Sequence, residues 1–511
     1  MTASLPITGD YFTNFGPLRL EARGDQVQGT YPHQDGELEA TLHGDRLRGT
    51  WTQRANGRTG ELDLRFDRGA NNFEGKWRFH GDELDRGSWS GVRLSLPSEA
   101  EGGFPGALNS HSDGPVFAGP MIGETSDKGA RIWIQARDTS PVTLVVESAR
   151  GARRFVATPR WDEWLCLVFN ADDLDPSVPH TYFVESAHGR TPSFPLRLAP
   201  PRSARSARVA LGSCFHFYHK RNLPIFGAIA ADEPSVFVML GDNTYYYEPD
   251  WQSEHTMMLA QLRSRNNDSL RNLLTTVPTI GVLDDHDFGP NNCDSTFPGK
   301  DRALRVFRRC FAQSRYGAKG VPGIFSSVRV GPAEVFLLDS RSYRVTSERT
   351  VLGAAQLQWL VESLAASDAP VKVIASPTQV LPEFPIQQNW ESFRRDAPEE
   401  LEGLLGEIEA RGIAGVVFAS GDLHMANLLR LQGRPREYWE LTTSPLANDP
   451  YNGPLLGSDS TLVKEVVDRC NYGIIDIDLD RAGSEVVLSL RDEKGEVLFD
   501  QPLALSKLAV C

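Results

Sequence analysis

Polar side chains that can bind metals or catalyse reactions follow five apolar strands between residues 207 and 420. The five endings are Leu211-Gly-Ser-Cys214, Leu240-Gly-Asp242-Asn-Thr-Tyr245, Leu283-Asp284-Asp285-His286-Asp287, Leu338-Asp-Ser-Arg341 and Ser420-Gly-Asp422-Leu-His424. In an open α/β sheet the carboxyl ends of the strands meet at one crevice, which is the usual position of a functional site. We therefore expect thiol, carboxylate, phenol, imidazole and guanidinium groups to meet there.

Each ending taken alone has an ordinary explanation. An aspartate after a strand usually caps a helix or forms a turn, and a lone cysteine is usually a small buried hydrophobe. Several carboxylates in one crevice are different, because they repel each other and their pKa values rise unless cations neutralise them. A cluster of metal ions is the simplest physical reason for this composition.

The kinds of side chain also indicate which metals and which reaction to expect. Thiolate and phenolate together suit Fe³⁺, whereas carboxylates and amides suit Ca²⁺, Mg²⁺ or Mn²⁺. Two metals roughly 3.5–4 Å apart are the usual clamp for hydrolysing phosphate esters. In that chemistry a metal-bound hydroxide attacks phosphorus while the cations stabilise the developing charge.

The elements that must position these residues follow from the apolar pattern after Ala207. Continuous apolar strands, such as residues 235–240 and 415–419, alternate with helical patterns at residues 353–364 and 398–408. Strands that are apolar on both faces need cover on both sides, which predicts a layered α/β domain.

Two β-rich regions precede this domain. Gly24-Asp-Gln-Val-Gln-Gly-Thr-Tyr31 recurs as Gly44-Asp-Arg-Leu-Arg-Gly-Thr-Trp51, which predicts an antiparallel β-meander forming a small sheet or barrel. Its strand-end aromatics more often close a core, although exposed ones would bind glycans.

Alternating runs between residues 116 and 200 predict a β-sandwich of the fibronectin or immunoglobulin type. The expected domains are 1–97, 105–200 and 206–511.

Together with Gly353-x-x-Gln356-x-x-Trp359-Leu360, the five endings resemble the PhoD-like alkaline phosphatase/phosphodiesterase family. That family belongs to the calcineurin-like metallophosphoesterase group and is related to purple acid phosphatases. The resemblance covers about residues 116–444 and leaves residues 1–95 outside it. It implies a β-sandwich followed by an α-β-β-α layered catalytic domain that hydrolyses phosphate mono- or diesters.

The resemblance also implies an Fe³⁺ site. Its expected ligands are Cys214, Asp242, Tyr245 and His424, with Asp242 as the bridge to a second ion. Asp284 and Asp287 are expected to orient ligands rather than bind metal.

A second ion, expected to be Ca²⁺ with Mg²⁺ or Mn²⁺ as alternatives, is implied beside the first. Asp285 and Asp422 would face it, and Asn292 and Gln379 are candidates for a further ligand. The family's aromatic-acidic lid motif is present only as Asn389-Trp390-Glu391-Ser-Phe393.

Two further residues have expected roles toward the substrate. His286 matches the histidine that contacts the phosphate and protonates the leaving oxygen. Arg341 is a plausible phosphate clamp, because its planar fork matches two phosphate oxygens.

Two other functions are compatible with some of these residues. A cysteine-dependent hydrolase would use Cys214 with His216 or His424, but it leaves the carboxylates without a purpose. A non-catalytic binding protein would use the two β-modules and keep the α/β domain as a degenerate scaffold.

Composition narrows the partners of the 511-residue chain. The 53 Lys and Arg residues against 67 Asp and Glu residues give a net charge of −14, which disfavours general binding to nucleic acid or anionic membranes. A small phosphate ester as substrate remains compatible with this charge. No run of about 18 apolar residues predicts a spanning helix.

Location is predicted from the cysteines and the first residues. Six scattered cysteines fit a reducing compartment, and Met-Thr-Ala-Ser-Leu-Pro-Ile has no basic or apolar leader features. A cytoplasmic location is expected unless an upstream leader was removed.

Overall fold

The computed structural model describes residues 5–13, 15–31, 34–66, 70, 72–82, 84–94, 114–160, 163–216, 223–247, 250–252, 254–384, 390–451 and 459–509. The predicted boundaries at residues 97 and 105 lie outside these ranges. The chain forms two compact units. The first comprises residues 1–112, 217–221 and 247–259, and the second comprises residues 113–216, 222–246 and 260–511.

The predicted N-terminal meander is a closed eight-stranded antiparallel barrel. Its strands are β1 (Gly9–Thr13), β2 (Gly16–Arg23), β3 (Gln26–Tyr31), β4 (Gly36–His43), β5 (Arg46–Gln53), β6 (Arg58–Phe66), β7 (Asn72–Phe79) and β8 (Gly87–Leu94). Asp10 of β1 pairs with Leu94 of β8, and this closure leaves no open sheet edge. Gly49 lies so close to β4 that an added Cβ would stand 2.1 Å from the carbonyl oxygen of Glu39.

The second unit begins with two small antiparallel sheets, ordered β13-β10-β9 and β12-β11-β14-β15, with β16 paired to β14. The strands are β9 (Ala118–Ser126), β10 (Gly129–Gln135), β11 (Val142–Ser148), β12 (Gly151–Ala157), β13 (Cys166–Ala171), β14 (His180–Ser186), β15 (Gly189–Arg190) and β16 (Phe194–Leu196). Trp133 donates its indole N–H to the Arg309 carbonyl at 2.6 Å, and Tyr182 donates its hydroxyl to the Thr275 carbonyl at 2.9 Å. Such buried bonds join this region to the α/β region in one compact unit, where the sequence predicts two domains.

The remainder of the second unit contains two larger sheets, ordered β19-β18-β17-β27-β28-β29 and β20-β21-β22-β23-β25-β24-β26. Their strands are β17 (Ser206–Gly212), β18 (Val236–Leu240), β19 (Thr279–Val282), β20 (Ser326–Val330), β21 (Ala333–Leu337), β22 (Val371–Ala375), β23 (Val416–Ser420), β24 (Ala426–Leu431), β25 (Tyr438–Thr442), β26 (Leu462–Val466), β27 (Asn471–Asp478), β28 (Val486–Asp492) and β29 (Val497–Leu503). β17, β18 and β19 run parallel, as do β21, β22, β23 and β25.

The described residues contain eight α-helices. They are α1 (Pro224–Ala231), α2 (Glu254–Arg265), whose first residues fall in the first unit, α3 (Asp268–Leu274), α4 (Asp285–Phe288), α5 (Lys300–Cys310), α6 (Gly353–Ala366), α7 (Phe393–Asp396) and α8 (Pro398–Ala410). In the described part of the chain no helix is both long and apolar enough to cross a membrane.

Apolar burial on both faces explains why the central strands are continuous hydrophobic runs. Every residue of β18, β22 and β23 is buried, and the second sheet packs on α6 and α8 through residues such as Leu364, Leu404, Ile374 and Phe418. The parallel strands β17, β18, β19, β21 and β23 end at or next to the five polar motifs, so those motifs sit in the loops that leave the sheets.

Candidate active site

The loops that leave β17, β18 and β23 hold their polar residues in an unusual backbone conformation. Cys214, Asp242, Asp422 and His424 have φ angles of 59°, 52°, 76° and 56°, in the left-handed region that non-glycine residues seldom adopt. Each such residue costs on the order of 1–3 kcal/mol and persists only where its surroundings enforce it. The N–H of Cys214 donates to the Gly241 carbonyl, which fixes the first two loops to each other. The strain therefore points to a functional cluster.

A first cluster forms around the carboxylate of Asp242. Cys214 Sγ lies 3.5 Å from Asp242 Oδ2, and the Tyr245 hydroxyl donates to the same oxygen at 2.9 Å. The Tyr245 oxygen is also 3.0 Å from His424 Nε2. The Nδ1 atom of His424 is 2.8 Å from the Asp449 carbonyl oxygen, which orients the imidazole so that Nε2 faces the cluster. The structure thus brings together the four expected Fe³⁺ ligands.

A second cluster consists of Asp284, Asp285 and Asp422, whose carboxylate oxygens lie within 4.8 Å of one another. Asp285 also forms a group with Asp242 and His286 within the same distance, so the two clusters are contiguous. Asp284 Oδ2 and Asp285 Oδ1 are buried without a hydrogen-bond donor among the residues that the structure describes. Sequence reasoning gave Asp284 only an orienting role, whereas the structure places it among the possible ligands.

Burial dominates the electrostatics of these groups. It raises the pKa of Asp242 well above its usual value, and neighbouring Asp285 and Asp287 raise it further. Burial, together with Asp284 and Asp285, does the same to the pKa of Asp422. For Asp285, burial alone would raise the pKa, but His286 and Arg341 and the N–H of Asn292 lower it. Cations are the groups that would let these carboxylates ionise together.

Burial also raises the pKa values of the Cys214 thiol and the Tyr245 phenol. Burial, then the charges of Asp242 and Asp422, raises the pKa of Cys214 well above its usual value. Burial and Asp242 likewise raise the pKa of Tyr245. Without a cation nearby both groups stay protonated. The donor set and the unpaired carboxylate oxygens therefore fit metal ions, while the identity of those ions remains a prediction.

Arg341 lies deeper than expected for a residue that clamps a phosphate. It has no exposed surface, its Nε donates to Asp284 Oδ1 at 2.6 Å and its Nη2 donates to Glu391 Oε2 at 2.6 Å. The remaining Nη1 donates to the Cys293 carbonyl at 3.2 Å. These contacts favour a role in holding Asp284, because the donors that would grip a phosphate are already engaged by protein groups.

Glu391 is the residue that sequence reasoning did not connect to the site. It pairs with Arg344, with Nη2 and Oε1 2.7 Å apart, as well as with Arg341. Its only sequence signal was the lid motif, of which Asn389 lies outside the described residues.

The two candidate ligands for the second ion differ in position. Asn292 meets the cluster through its backbone, because its N–H donates to Asp285 Oδ2 at 2.6 Å, while its amide oxygen accepts from Asn291. Gln379 is buried and donates to Thr442 Oγ1 at 2.6 Å, while its amide oxygen has no hydrogen-bond partner among the described residues. Asp287 accepts the backbone N–H groups of Asn243, Thr244 and Asp284, the geometry of an orienting residue.

His286 is partly exposed above the first cluster. Its ring lies on the Tyr245 ring with centroids 4.4 Å apart, and its backbone N–H donates to Asp242 Oδ1 at 3.3 Å. A ring nitrogen lies within 4.8 Å of carboxylate oxygens of Asp242 and Asp285. This position suits either a proton donor to substrate or a metal ligand.

Comparison with known proteins gives matches in sequence and in fold. A family model described as PhoD-like phosphatase matches residues 209–485. Alkaline phosphatase D of Bacillus subtilis (strain 168) is 24% identical over an alignment of 315 positions, and the match covers 50% of this chain and 52% of that protein. The chain thus spans about half the length of this curated relative.

Two solved structures have a similar fold. A structure of PhoD has a TM-score of 0.63 at 15% identity, covering 76% of this chain and 93% of that chain. A purple acid phosphatase from yellow lupin (Lupinus luteus) seeds has a TM-score of 0.59 at 11% identity, covering 94% of each chain. At these identities the likeness concerns the fold alone.

Proposed function

The chain belongs to the PhoD-like phosphatase family, and from that premise we propose that it hydrolyses small phosphate esters with the help of two bound cations. The observation that carries the proposal is the buried acidic cluster. Asp242, Asp284, Asp285 and Asp422 converge from three loops, and two of their oxygens have no donor among the described residues. Such a cluster is costly unless cations occupy it.

We assign the cations to the two clusters. Cys214, Asp242, Tyr245 and His424 would hold an Fe³⁺, because thiolate and phenolate favour that ion. Asp284, Asp285 and Asp422 would face a harder ion, Ca²⁺ by preference and otherwise Mg²⁺ or Mn²⁺. Two cations here would activate water and offset the charge that develops on the phosphate oxygens.

The remaining residues have roles that follow from their contacts. His286, partly exposed beside Asp242, would deliver a proton to the leaving oxygen of the ester. Arg341 would hold Asp284 and, at 3.8 Å, offset the charge of Asp285. The N–H of Asn292 and the carboxylate of Asp287 would fix the loop that carries Asp285.

A cysteine-dependent hydrolase is disfavoured by the surroundings of Cys214. The residue is fully buried, and burial with two neighbouring acids raises the pKa of its thiol. A cysteine nucleophile needs the opposite, a lowered pKa beside cationic groups.

Three functions are separated by one experiment. Hydrolysis of p-nitrophenyl phosphate and bis-p-nitrophenyl phosphate is measured with and without chelator, alongside elemental analysis and thiol alkylation. We expect activity that chelator abolishes and that added metal restores. Loss of activity only on alkylation would point to the cysteine hydrolase, and fully metallated protein that cleaves neither ester would point to the binding protein.

The identity of the first ion has its own test in Tyr245. A phenolate bound to Fe³⁺ should colour the purified protein by charge transfer, and Tyr245→Phe should bleach it while the far-UV circular dichroism is unchanged. Tyr246→Phe is a matched control, because this buried neighbour bonds to Gln261 and lies outside the two clusters. A colourless wild type holding stoichiometric zinc would contradict the assignment.

A further inference from the structure

The N-terminal barrel is packed at one end and hollow at the other. Tyr11, Phe66 and Phe73 fill one end with aliphatic residues around them. The other end holds a cavity of about 400 Å³ that is open to solvent. Its lining consists of six aromatic residues and four polar ones, namely Phe15, Tyr31, Trp51, Trp77, Phe79, Trp89, Gln34, Gln53, Asn56 and Arg58. Eight-stranded barrels of this size hold one small ligand when their side chains do not fill the interior.

All of these lining residues lie at one rim of the barrel. Tyr31, Gln53 and Phe79 end β3, β5 and β7, while Arg58 begins β6. The six rings contact each other edge to face or tilted, with centroids 5.2–5.9 Å apart, and they continue the hydrophobic core up to the cavity surface. The strand-end aromatics therefore pack against one another, as the sequence predicts for a core, and a cavity remains beside them.

Three tryptophans of the cavity lining keep their indole N–H groups inside the barrel wall. The indole N–H groups of Trp51, Trp77 and Trp89 are buried with no acceptor among the residues that the structure describes. Trp51 is only 4% exposed and Trp89 only 2%. An indole N–H is a donor only, and a buried donor without a partner costs on the order of 1–3 kcal/mol. These nitrogens have almost no accessible surface and lie against the strands, since Trp77 Nε1 is 2.8 Å from where a Cβ on Gly87 would stand. What the three tryptophans offer a ligand is therefore the flat faces of their rings.

The rim adds a positive charge. Arg58 is exposed, its guanidinium carbon lies 5.6 Å from the centre of the Phe79 ring, and no carboxylate lies within 4 Å of it in the described part of the chain. Its neighbours at the same rim differ, since Arg54 pairs with Glu37 and Arg78 pairs with Glu61. An uncompensated guanidinium beside an aromatic cavity suits the negative group of a ligand.

We propose that this rim of the barrel binds a small amphipathic anion, with an aromatic body between the rings and an acidic group facing Arg58. A neutral sugar fits less well, because it would leave the guanidinium of Arg58 without a counter-charge, whereas an anion pairs with it. The proposed site shares no residue with the two metal clusters, and the proposal does not depend on the proposed hydrolysis.

The test uses two probes that share one aromatic body, anilinonaphthalene sulfonate and its uncharged relative phenylnaphthylamine. The full-length protein is titrated with each probe, and both probe emission and quenching of tryptophan emission are recorded. We expect one saturable sulfonate site per chain, bound more tightly than the uncharged probe. Arg58→Gln should weaken the sulfonate about tenfold, the usual effect of losing a charge-assisted hydrogen bond, and leave the uncharged probe within about twofold.

Two further variants control this result. Arg65→Gln removes an exposed arginine that pairs with Asp45 on the same barrel, and it should bind both probes as wild type does. Trp51→Phe makes one ring of the lining smaller and should weaken both probes to the same extent, with unchanged circular dichroism. If Trp51→Phe does not fold, the comparison of Arg58→Gln with Arg65→Gln still tests the proposal.

Several outcomes would overturn the proposal. They are no saturable binding, equal binding of both probes, equal effects of Arg58→Gln and Arg65→Gln, or displacement of the sulfonate by maltose or cellobiose. The last would identify a glycan site instead.

Discussion

At the scale of single residues, the site depends on Asp242 more than on any other side chain. One of its oxygens contacts Cys214 and Tyr245, and the other accepts the backbone N–H of His286. The carboxylate thus touches residues from the loops after β17, β18 and β19. A group in this position can neutralise two cations at once, which is the role of a bridging ligand.

His286→Ala separates proton donation from metal binding. A proton donor matters most when the leaving oxygen is a poor leaving group, so we expect a loss of about 10²–10⁴-fold on alkyl phosphates and a much smaller loss on p-nitrophenyl esters. Metal content should stay near that of wild type. Loss of metal would make His286 a ligand, and equal slowing on both substrates would remove its role as an acid.

Arg341→Gln tests whether this residue supports the site or grips the substrate. Removing one partner of a buried ion pair typically costs about 3–5 kcal/mol, because Asp284 and Glu391 would remain buried and unpaired. We expect that loss in the free energy of unfolding by urea. Arg205→Gln, an exposed arginine paired with Asp480, should change it by less than about 0.5 kcal/mol. A raised KM with unchanged stability would instead support the phosphate clamp.

At the scale of elements, the loops after the parallel strands are tied to one another by buried acids. Glu440 of β25 accepts the N–H groups of Val380 and Leu381 at 2.9 and 2.7 Å and the hydroxyl of Ser420 at 2.5 Å. It therefore connects the segment after β22 with the end of β23, two residues before Asp422. Burial raises the pKa of Glu440 to about 7, although these three donors lower it.

Glu440→Gln should change the pH dependence of stability. The folded protein prefers Glu440 in its protonated form. The stabilisation that Glu440 adds to the free energy of unfolding is therefore fully present below about pH 4.5. It is lost as the pH rises to about 7, by roughly 1.4 kcal/mol per pH unit. The variant should therefore lose less unfolding free energy than wild type between pH 5 and 7, in urea titrations of metal-loaded protein. Glu407→Gln on the exposed face of α8 is the control and should follow wild type. Parallel curves for wild type and Glu440→Gln would contradict the prediction.

At the scale of the whole molecule, local signals were predictable and long-range pairings were not. The strand endings could be recognised because an apolar run followed by Asp, Cys or His is a continuous pattern, and the prediction of the family is confirmed by a model spanning residues 209–485. The burial of Arg341 could not be predicted, since its partner Glu391 is 50 residues away. The sequence left open whether the N-terminal meander forms an open sheet or a closed barrel. Closure depends on the pairing of Asp10 in β1 with Leu94 in β8, which are far apart in the sequence.

The dependence of activity on two cations held at the strand ends is the central claim, and Asp242→Asn tests it most directly. Metal content per chain and the rate on bis-p-nitrophenyl phosphate are measured for wild type and variant prepared in parallel, with Asp480→Asn at an exposed position as the control. We expect wild type and control to hold about two ions per chain, and Asp242→Asn to lose both ions and its turnover, because one carboxylate serves both sites. Equal metal content and equal activity in Asp242→Asn and wild type would contradict the two-cation site.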